Sequence, residues 1–261
     1  MTETTVRKPI KWDSVQETHV GVVREMNEDS ILSSQKAQLW AVADGMGGYE
    51  SGNVASNMIV QTLEDLPGKN SLSEFIDNVE DSLIDVNQRI LEYADIMLDG
   101  RTLGSTVVSL IIKERVGICL WAGDSRLYRL RNNQFVQLSR DHSQVEELVQ
   151  QGVLSAEEAD NHPDSNIITR AIGASQELYI DINVFSVQQG DIFLLCSDGL
   201  YNMISNDEIV QALSDHPISD AINILIDKVL SNGATDNVSV ILVKGMSNTA
   251  KPDQNNKELG K

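Results

Sequence analysis

The chain has 261 residues, 41% of them hydrophobic and 23% charged, with a formal net charge of −19. This suits one large globular domain or two small ones with a sizeable core, and the charge repels nucleic acid and anionic membrane while favouring cations as ligands. No apolar run approaches the roughly 18 residues of a spanning helix, and the opening MTETTVRKPIK lacks the apolar stretch of a secretory signal, so a cytoplasmic monomer with no membrane or nucleic-acid partner is expected.

Residues 1–11 read as a flexible polar tail. Short β-branched or alternating segments predict strands near 13–20, 29–35 and 38–44. Helices are predicted over 51–65, where Val54, Met58, Ile59 and Leu63 recur at helical spacing, and over 71–98, where an apolar stripe runs from Leu72 to Ala94. STVVSLIIKE, VGICLWAGDS and RLYRLRNNQFVQLS read as successive antiparallel strands, with Asn132-Asn133 as a hairpin turn because Asn tolerates the left-handed region. Arg126, Arg129 and Arg131 then form a solvated strand face. Residues 143–160 are polar and helix-prone. Strands follow near 178–187 and 191–197, helices near 206–214 and 217–231, and a last strand over 237–244, before a polar tail at 246–261. Residues 12–245 read as one domain. Runs of strands separated by helix pairs argue α+β layering rather than alternating βαβ units. Cys119 and Cys196 each sit in an apolar run and read as reduced core thiols.

One device recurs along the chain. WAVADG runs into Asp44-Gly45, CLWAGDS into Asp124, and FLLCSDG into Asp198-Gly199. A strand opens after Asp236 in ATDNVSVILV, and another at Glu28 and Asp29 in NEDSIL. Asp-Gly alone is most often a tight turn. Carboxylates at five such strand ends need more than turns to explain them. If they converge, they repel and raise one another's pKa, and a cation removes the conflict. Mg²⁺ or Mn²⁺ suits a set of oxygen donors. The sequence has no HExxH, no Cys/His ligand spacing and no EF-hand loop, which leaves zinc and structural calcium as poorer fits. Gly45 lets a backbone carbonyl approach such an ion.

Eight ordered segments, RxxNED from Arg24, VADGMGG, LGSTVV, WAGDSRLYRLR, RDHS, ITRAIG, SDGL and TDNVSVILV, together resemble bacterial metal-dependent Ser/Thr protein phosphatases of the type 2C family. The resemblance spans about residues 12–245. It implies an αββα sandwich of two antiparallel β-sheets flanked by helix pairs, with the metals between the sheet ends. It implies two Mn²⁺ or Mg²⁺ ions and a weaker third. By resemblance Asp44 bridges two ions and Gly45 adds a carbonyl. Asp198 and Asp236 hold the first ion and Glu28 the second, with Asp29 beside it. Asp124 matches the third position, and Arg24 the arginine that holds the substrate phosphate. The implied reaction is attack of a metal-activated water on phosphoserine or phosphothreonine. The implied partners are phosphorylated proteins and a cognate Ser/Thr kinase.

Other phosphatase chemistries lack their parts. Neither cysteine begins a CxxxxxR motif, and neither DxDx[TV] nor GNHE occurs. Two departures stand out. Tyr49 occupies the position where relatives carry a histidine, and Asn53 that of a glutamate, which leaves the general acid open, with His142 the nearest alternative. A non-catalytic phosphoprotein-binding module is the competing reading, with Tyr49 its only support. Residues 139 to about 173 match the family's variable flap and are expected to influence which phosphoprotein fits.

Overall fold

The computed structural model of the chain describes residues 9–47, 52–66, 71–160 and 162–246. The chain begins with β1 (Lys11–His19), β2 (Asp29–Ser34) and β3 (Leu39–Gly47), then forms α1 (Gly52–Glu64) and α2 (Leu72–Met97). β4 (Leu103–Ser105), β5 (Val107–Lys113), β6 (Val116–Ala122), β7 (Arg126–Arg131) and β8 (Gln134–Gln137) follow. The short helices α3 (Gln144–Gln150) and α4 (Ala156–Asp160) precede β9 (Asp181–Ser186) and β10 (Ile192–Cys196). The chain then runs through α5 (Asp198–Tyr201), α6 (Asn206–Asp215), α7 (Ile218–Ser231) and β11 (Val238–Met246).

The strands form two antiparallel sheets, ordered β1-β11-β10-β7-β8 and β2-β3-β5-β6-β9, with β4 added beside β3. Alternation along the central strands explains their near-continuous apolar runs. On β3, Leu39, Ala41 and Ala43 face the helices α1 and α2, while Trp40 and Val42 face the other sheet. On β11, Val238, Val240 and Leu242 pack under α6 and α7, while Ile241 and Val243 face inward. Both faces of each strand are therefore buried, at about 1.5–3 kcal/mol per large apolar side chain. Three apolar layers result, one under each helix pair and one between the sheets, which is the expected αββα order. α2 starts on a capping box between Ser71 and Glu74 and buries Phe75, Val79, Leu83, Val86, Ile90 and Ala94 along one face.

Several sequence expectations change. β3 does not stop at Asp44. It continues through Gly45 and Met46 to Gly47, because those residues pair with β4, a three-residue strand too short to show in the pattern. β5, β6 and β7 are not three neighbours in one sheet. At Gly123 (φ +111°) the chain leaves β6 and crosses to the other sheet, where β7 pairs with β10. α5 is an unexpected four-residue helix that starts on Asp198. The strand expected from 178 begins only at Asp181. β1 starts at Lys11 and β11 ends at Met246, one residue into each segment read as a tail; residues 1–8 and 247–261 lie outside the described residues. The Asn132-Asn133 turn stands as expected, with φ of 50° and 60°. Cys119 and Cys196 are free and buried. Among the described residues no helix is long and apolar enough to cross a membrane.

Candidate active site

The register of β2 on β3 sets Asp29 directly opposite Asp44. Like charges across an antiparallel pair oppose pairing, so this register places two carboxylates where the fold alone would not want them. The backbone of Asp44 is fixed on its other side by Thr106. Asp44 N–H donates to Thr106 Oγ1 (3.1 Å), and Thr106 N–H donates to the Asp44 carbonyl (2.8 Å). Thr106 Oγ1 also shares a 2.7 Å hydrogen bond with Ser125 Oγ, next to Asp124 on the bend that joins the sheets.

Glu28 is held at the start of α1. Its Oε1 accepts the Gly52 N–H (2.8 Å), and its carbonyl accepts Gly45 N–H and Ser56 Oγ–H. An acid at a helix N-terminus meets unpaired N–H groups and the positive end of the helix dipole. Asn237 ties this loop to the opposite sheet. Its Oδ1 accepts Glu28 N–H (2.8 Å), and its Nδ2 donates to the carbonyls of Val20 and Met26. Ser197 Oγ donates to Asp29 Oδ2 (2.8 Å). Asp198 and Asp236 complete the cluster from α5 and from the turn before β11. Arg24 Nη2 donates to Asp236 Oδ2 at 2.8 Å.

The charges press on one another. Burial, then Asp29, Asp198, Asp124 and Asp236 in that order, push Asp44 well above the ordinary carboxylate range. Burial and Asp124 lead in raising Asp198 to about 7. Burial raises Asp29 to about 6, opposed by hydrogen bonds from Ser239 and Ser197. Burial and Asp141 raise Asp124 to about 6. Asp29 Oδ1 is buried with no hydrogen-bond partner. Crowded oxygen acids with an orphaned buried lone pair fit a hard divalent cation. Among the described residues no three Asp, Glu, His or Cys side chains close on one point as a cage. Ions that keep several of their own waters do not require one.

Residues 19–232 match the family model for protein phosphatase 2C. The chain belongs to the protein phosphatase 2C family. It is 37% identical over 235 residues to the serine/threonine phosphatase stp of Listeria innocua, an alignment covering 87% of this chain and 93% of that one. The solved structure of PppA, a key regulatory component of T6SS in Pseudomonas aeruginosa, superposes with a TM-score of 0.84 at 38% identity, covering 91% of this chain and 99% of that one. The catalytic domain of the phosphatase PstP, solved in complex with two manganese ions, superposes with a TM-score of 0.79 at 30% identity, covering 92% of this chain and 100% of that one. The family match stops before Asp236, which joins the site here through its Arg24 contact and its place beside Asn237.

On this protein phosphatase 2C framework, the structure brings Asp29, Asp44, Asp124, Asp198 and Asp236 into one electrostatic cluster, with Arg24 on its rim. Sequence reading missed the side chains that hold the cluster in place. Thr106, Ser125 and Asn237 each bridge segments distant in sequence. Tyr49 lies outside the described residues. Asn53 lies in α1, its Oδ1 buried without a partner. His142 has a structural place. It is buried, stacked on Trp121, and its Nδ1 accepts Gly123 N–H at 3.0 Å while Nε2 lies 3.4 Å from Asp181. Burial lowers its pKa, so it is held neutral and is poorly placed to donate a proton. Two arginines of RLYRLR are not on a solvated face: Arg126 is clamped by Asp141 and Arg131 by the buried Asp191.

Proposed function

We propose that this chain hydrolyses phosphoserine and phosphothreonine in proteins with the help of divalent metal ions. The observation that carries the reading is the cluster of five aspartates from separate segments, each of three raised mainly by burial and Asp44 raised further by the rest. Asp44, with the Gly45 carbonyl, would hold two ions, Asp198 and Asp236 the first and Glu28 the second, with Asp29 beside them. The two manganese ions of the PstP complex support Mn²⁺ or Mg²⁺. Asp124 with Asp198 would hold a weaker third. When bound, such ions activate water and neutralise charge on the phosphoryl oxygens. The chain's own part is positional. Thr106 fixes the backbone of Asp44, Ser197 the carboxylate of Asp29, Asn237 the loop of Glu28, and Arg24 would present a planar fork to the phosphate. The relatives named as Ser/Thr phosphatases support phosphoprotein substrates, and with them a cognate Ser/Thr kinase and signalling in the cytoplasm of a bacterium; the chain would act as a monomer.

The test is hydrolysis of p-nitrophenyl phosphate and of a phosphothreonine peptide, with Mn²⁺ and with EDTA, beside Asp198→Ala. Turnover that needs Mn²⁺ and disappears in the variant is expected. A wild-type protein inactive with every divalent metal would sink the enzyme and leave a binding module.

Arg24 has a separate expected signature. Its contact with Asp236 is half exposed, and such pairs contribute only about 0–1 kcal/mol. Arg24→Ala should leave the melting temperature nearly unchanged. Loss of a charged donor at the phosphate should lower kcat/KM by about 10²-fold or more. Arg24→Lys should recover only part of it, because an ammonium cannot reproduce the fork. Steady-state kinetics beside a melting curve separates the two effects.

A further inference from the structure

A cavity of about 710 Å³ opens next to the carboxylate cluster, between the 139–173 segment and the α5–α6 turn. Its volume lies in the roughly 300–1,000 Å³ range of ligand sites. Its floor is the Arg126–Asp141 pair: Nε and Nη2 of Arg126 lie 2.9 and 2.6 Å from Asp141 Oδ2, and the guanidinium lies 3.5 Å from the Tyr201 ring centre. The floor touches the catalytic cluster at two points. Tyr201 Oη–H donates to the Asp124 carbonyl (3.1 Å), and Asn202 Nδ2 donates to Asp198 Oδ2 (3.2 Å). The cavity and the cluster therefore share a wall, Tyr201 and Asn202.

The lining indicates what it takes. Its cations, Arg126 and Arg140, are matched by Asp141 and Glu146, with contacts of 2.6 and 3.5 Å. In a chain of net charge −19, this is a charge-balanced site. It offers no surplus charge for an anion or a cation. It is also too polar for an apolar ligand. Asn166, from the flap segment, and Asn206, from the start of α6, line it, and neither side-chain amide has a partner among the described residues. Each amide carries two donors and an acceptor, the complement of a peptide's own N–H and C=O.

We propose that this cavity receives the main chain of the substrate segment flanking the phosphorylated residue, held by the side-chain amides of Asn166 and Asn206, and so gives the enzyme its preference for phosphoproteins over small phosphate esters. The proposal rests on the phosphatase reading above.

Both asparagines are exposed, so each accepts a bulky replacement without disturbing the core. Asn206→Trp and Asn166→Trp should each raise KM for a phosphothreonine peptide with residues on both sides of the phosphate by about tenfold, the scale of displacing one or two hydrogen bonds. Turnover of p-nitrophenyl phosphate, and of phosphothreonine capped as a single residue, should stay within about twofold of wild type. A peptide KM that does not move, or an equal loss on all three substrates, would overturn the cavity proposal while leaving the phosphatase intact. A wild-type protein that hydrolyses none of them with Mn²⁺ would overturn the phosphatase reading itself, and this proposal with it.

Discussion

Asp44→Asn is expected to abolish turnover while making the metal-free protein more stable. The two effects share one cause. Asp44 is the aspartate on which all four others act, facing Asp29 across the β2–β3 ladder and pushed up by burial and by Asp29, Asp198, Asp124 and Asp236. An amide of nearly the same shape keeps the strand register and donates to Asp29 instead of repelling it. Without metal the substitution should therefore stabilise the fold, and each kcal/mol gained should raise the melting temperature by roughly 2–4 °C for a domain of this size. An amide cannot supply the charge a divalent ion needs. Turnover should fall by more than the roughly 10–100-fold that outlying partners of a metal site cost. Mn²⁺ should raise the wild-type melting temperature and barely move that of the variant.

The pH dependence follows with a definite sign. A carboxyl whose folded pKa is raised binds its proton more tightly in the native state. It therefore costs nothing below the unfolded value near 4, and it lowers stability as the pH rises towards the folded value. Asp29 and Asp124 at about 6 and Asp198 at about 7 set that window. In EDTA the wild type should lose stability from about pH 4 to about pH 7, and Asp44→Asn should lose less. Melting curves across this range decide it; a variant less stable than wild type at neutral pH in EDTA would refute the account.

The layers were legible because their signals are long. The α2 stripe runs from Phe75 to Ala94, more than five turns of buried positions, and the runs WAVA and VSVILV are apolar enough to mark strands covered on both faces. The carboxylates were legible because each falls where an apolar run meets a short polar one. The supports of the site were not. Thr106 lies in the run LGSTVV, which shows nothing of its role; that role depends on a contact with Asp44, 62 positions away. Asn237 acts across more than 200 positions. A local pattern carries no trace of such pairings. The Asp-Gly steps misled for a different reason. Glycine after aspartate is the strongest turn dipeptide, yet Gly45 lies inside β3 and Gly199 inside α5. Both are there for closeness rather than for turning.

Gly199→Ala tests that point and should be among the most damaging single-methyl changes in the chain. Alanine is the better helix former by roughly 1 kcal/mol, so on local grounds α5 would gain. The surroundings forbid it. A Cβ at Gly199 would overlap the Asn237 carbonyl oxygen and lie 3.3 Å from Val238 Cα, both backbone atoms that no rotamer change can move. Either α5 or the start of β11 must shift. Asn237 holds Glu28 N–H and the carbonyls of Val20 and Met26, and α5 carries Asp198, so the shift reaches both sides of the cluster at once. Overpacking that cannot relax costs about 3 kcal/mol or more, and a displacement of about 1 Å at a catalytic group can cost about 10²-fold in rate. Gly190→Ala is the control. Nothing lies within 4 Å of its Cβ position, and only its φ of +89° is strained, at about 1–2 kcal/mol. Denaturant unfolding of both variants, with turnover at saturating Mn²⁺, should rank Gly199→Ala well below Gly190→Ala on both measures. Equal stability of the two, or full activity in Gly199→Ala, would mean that α5 has room to move, and that the glycine after Asp198 is not what brings Asp198 and Asp236 together.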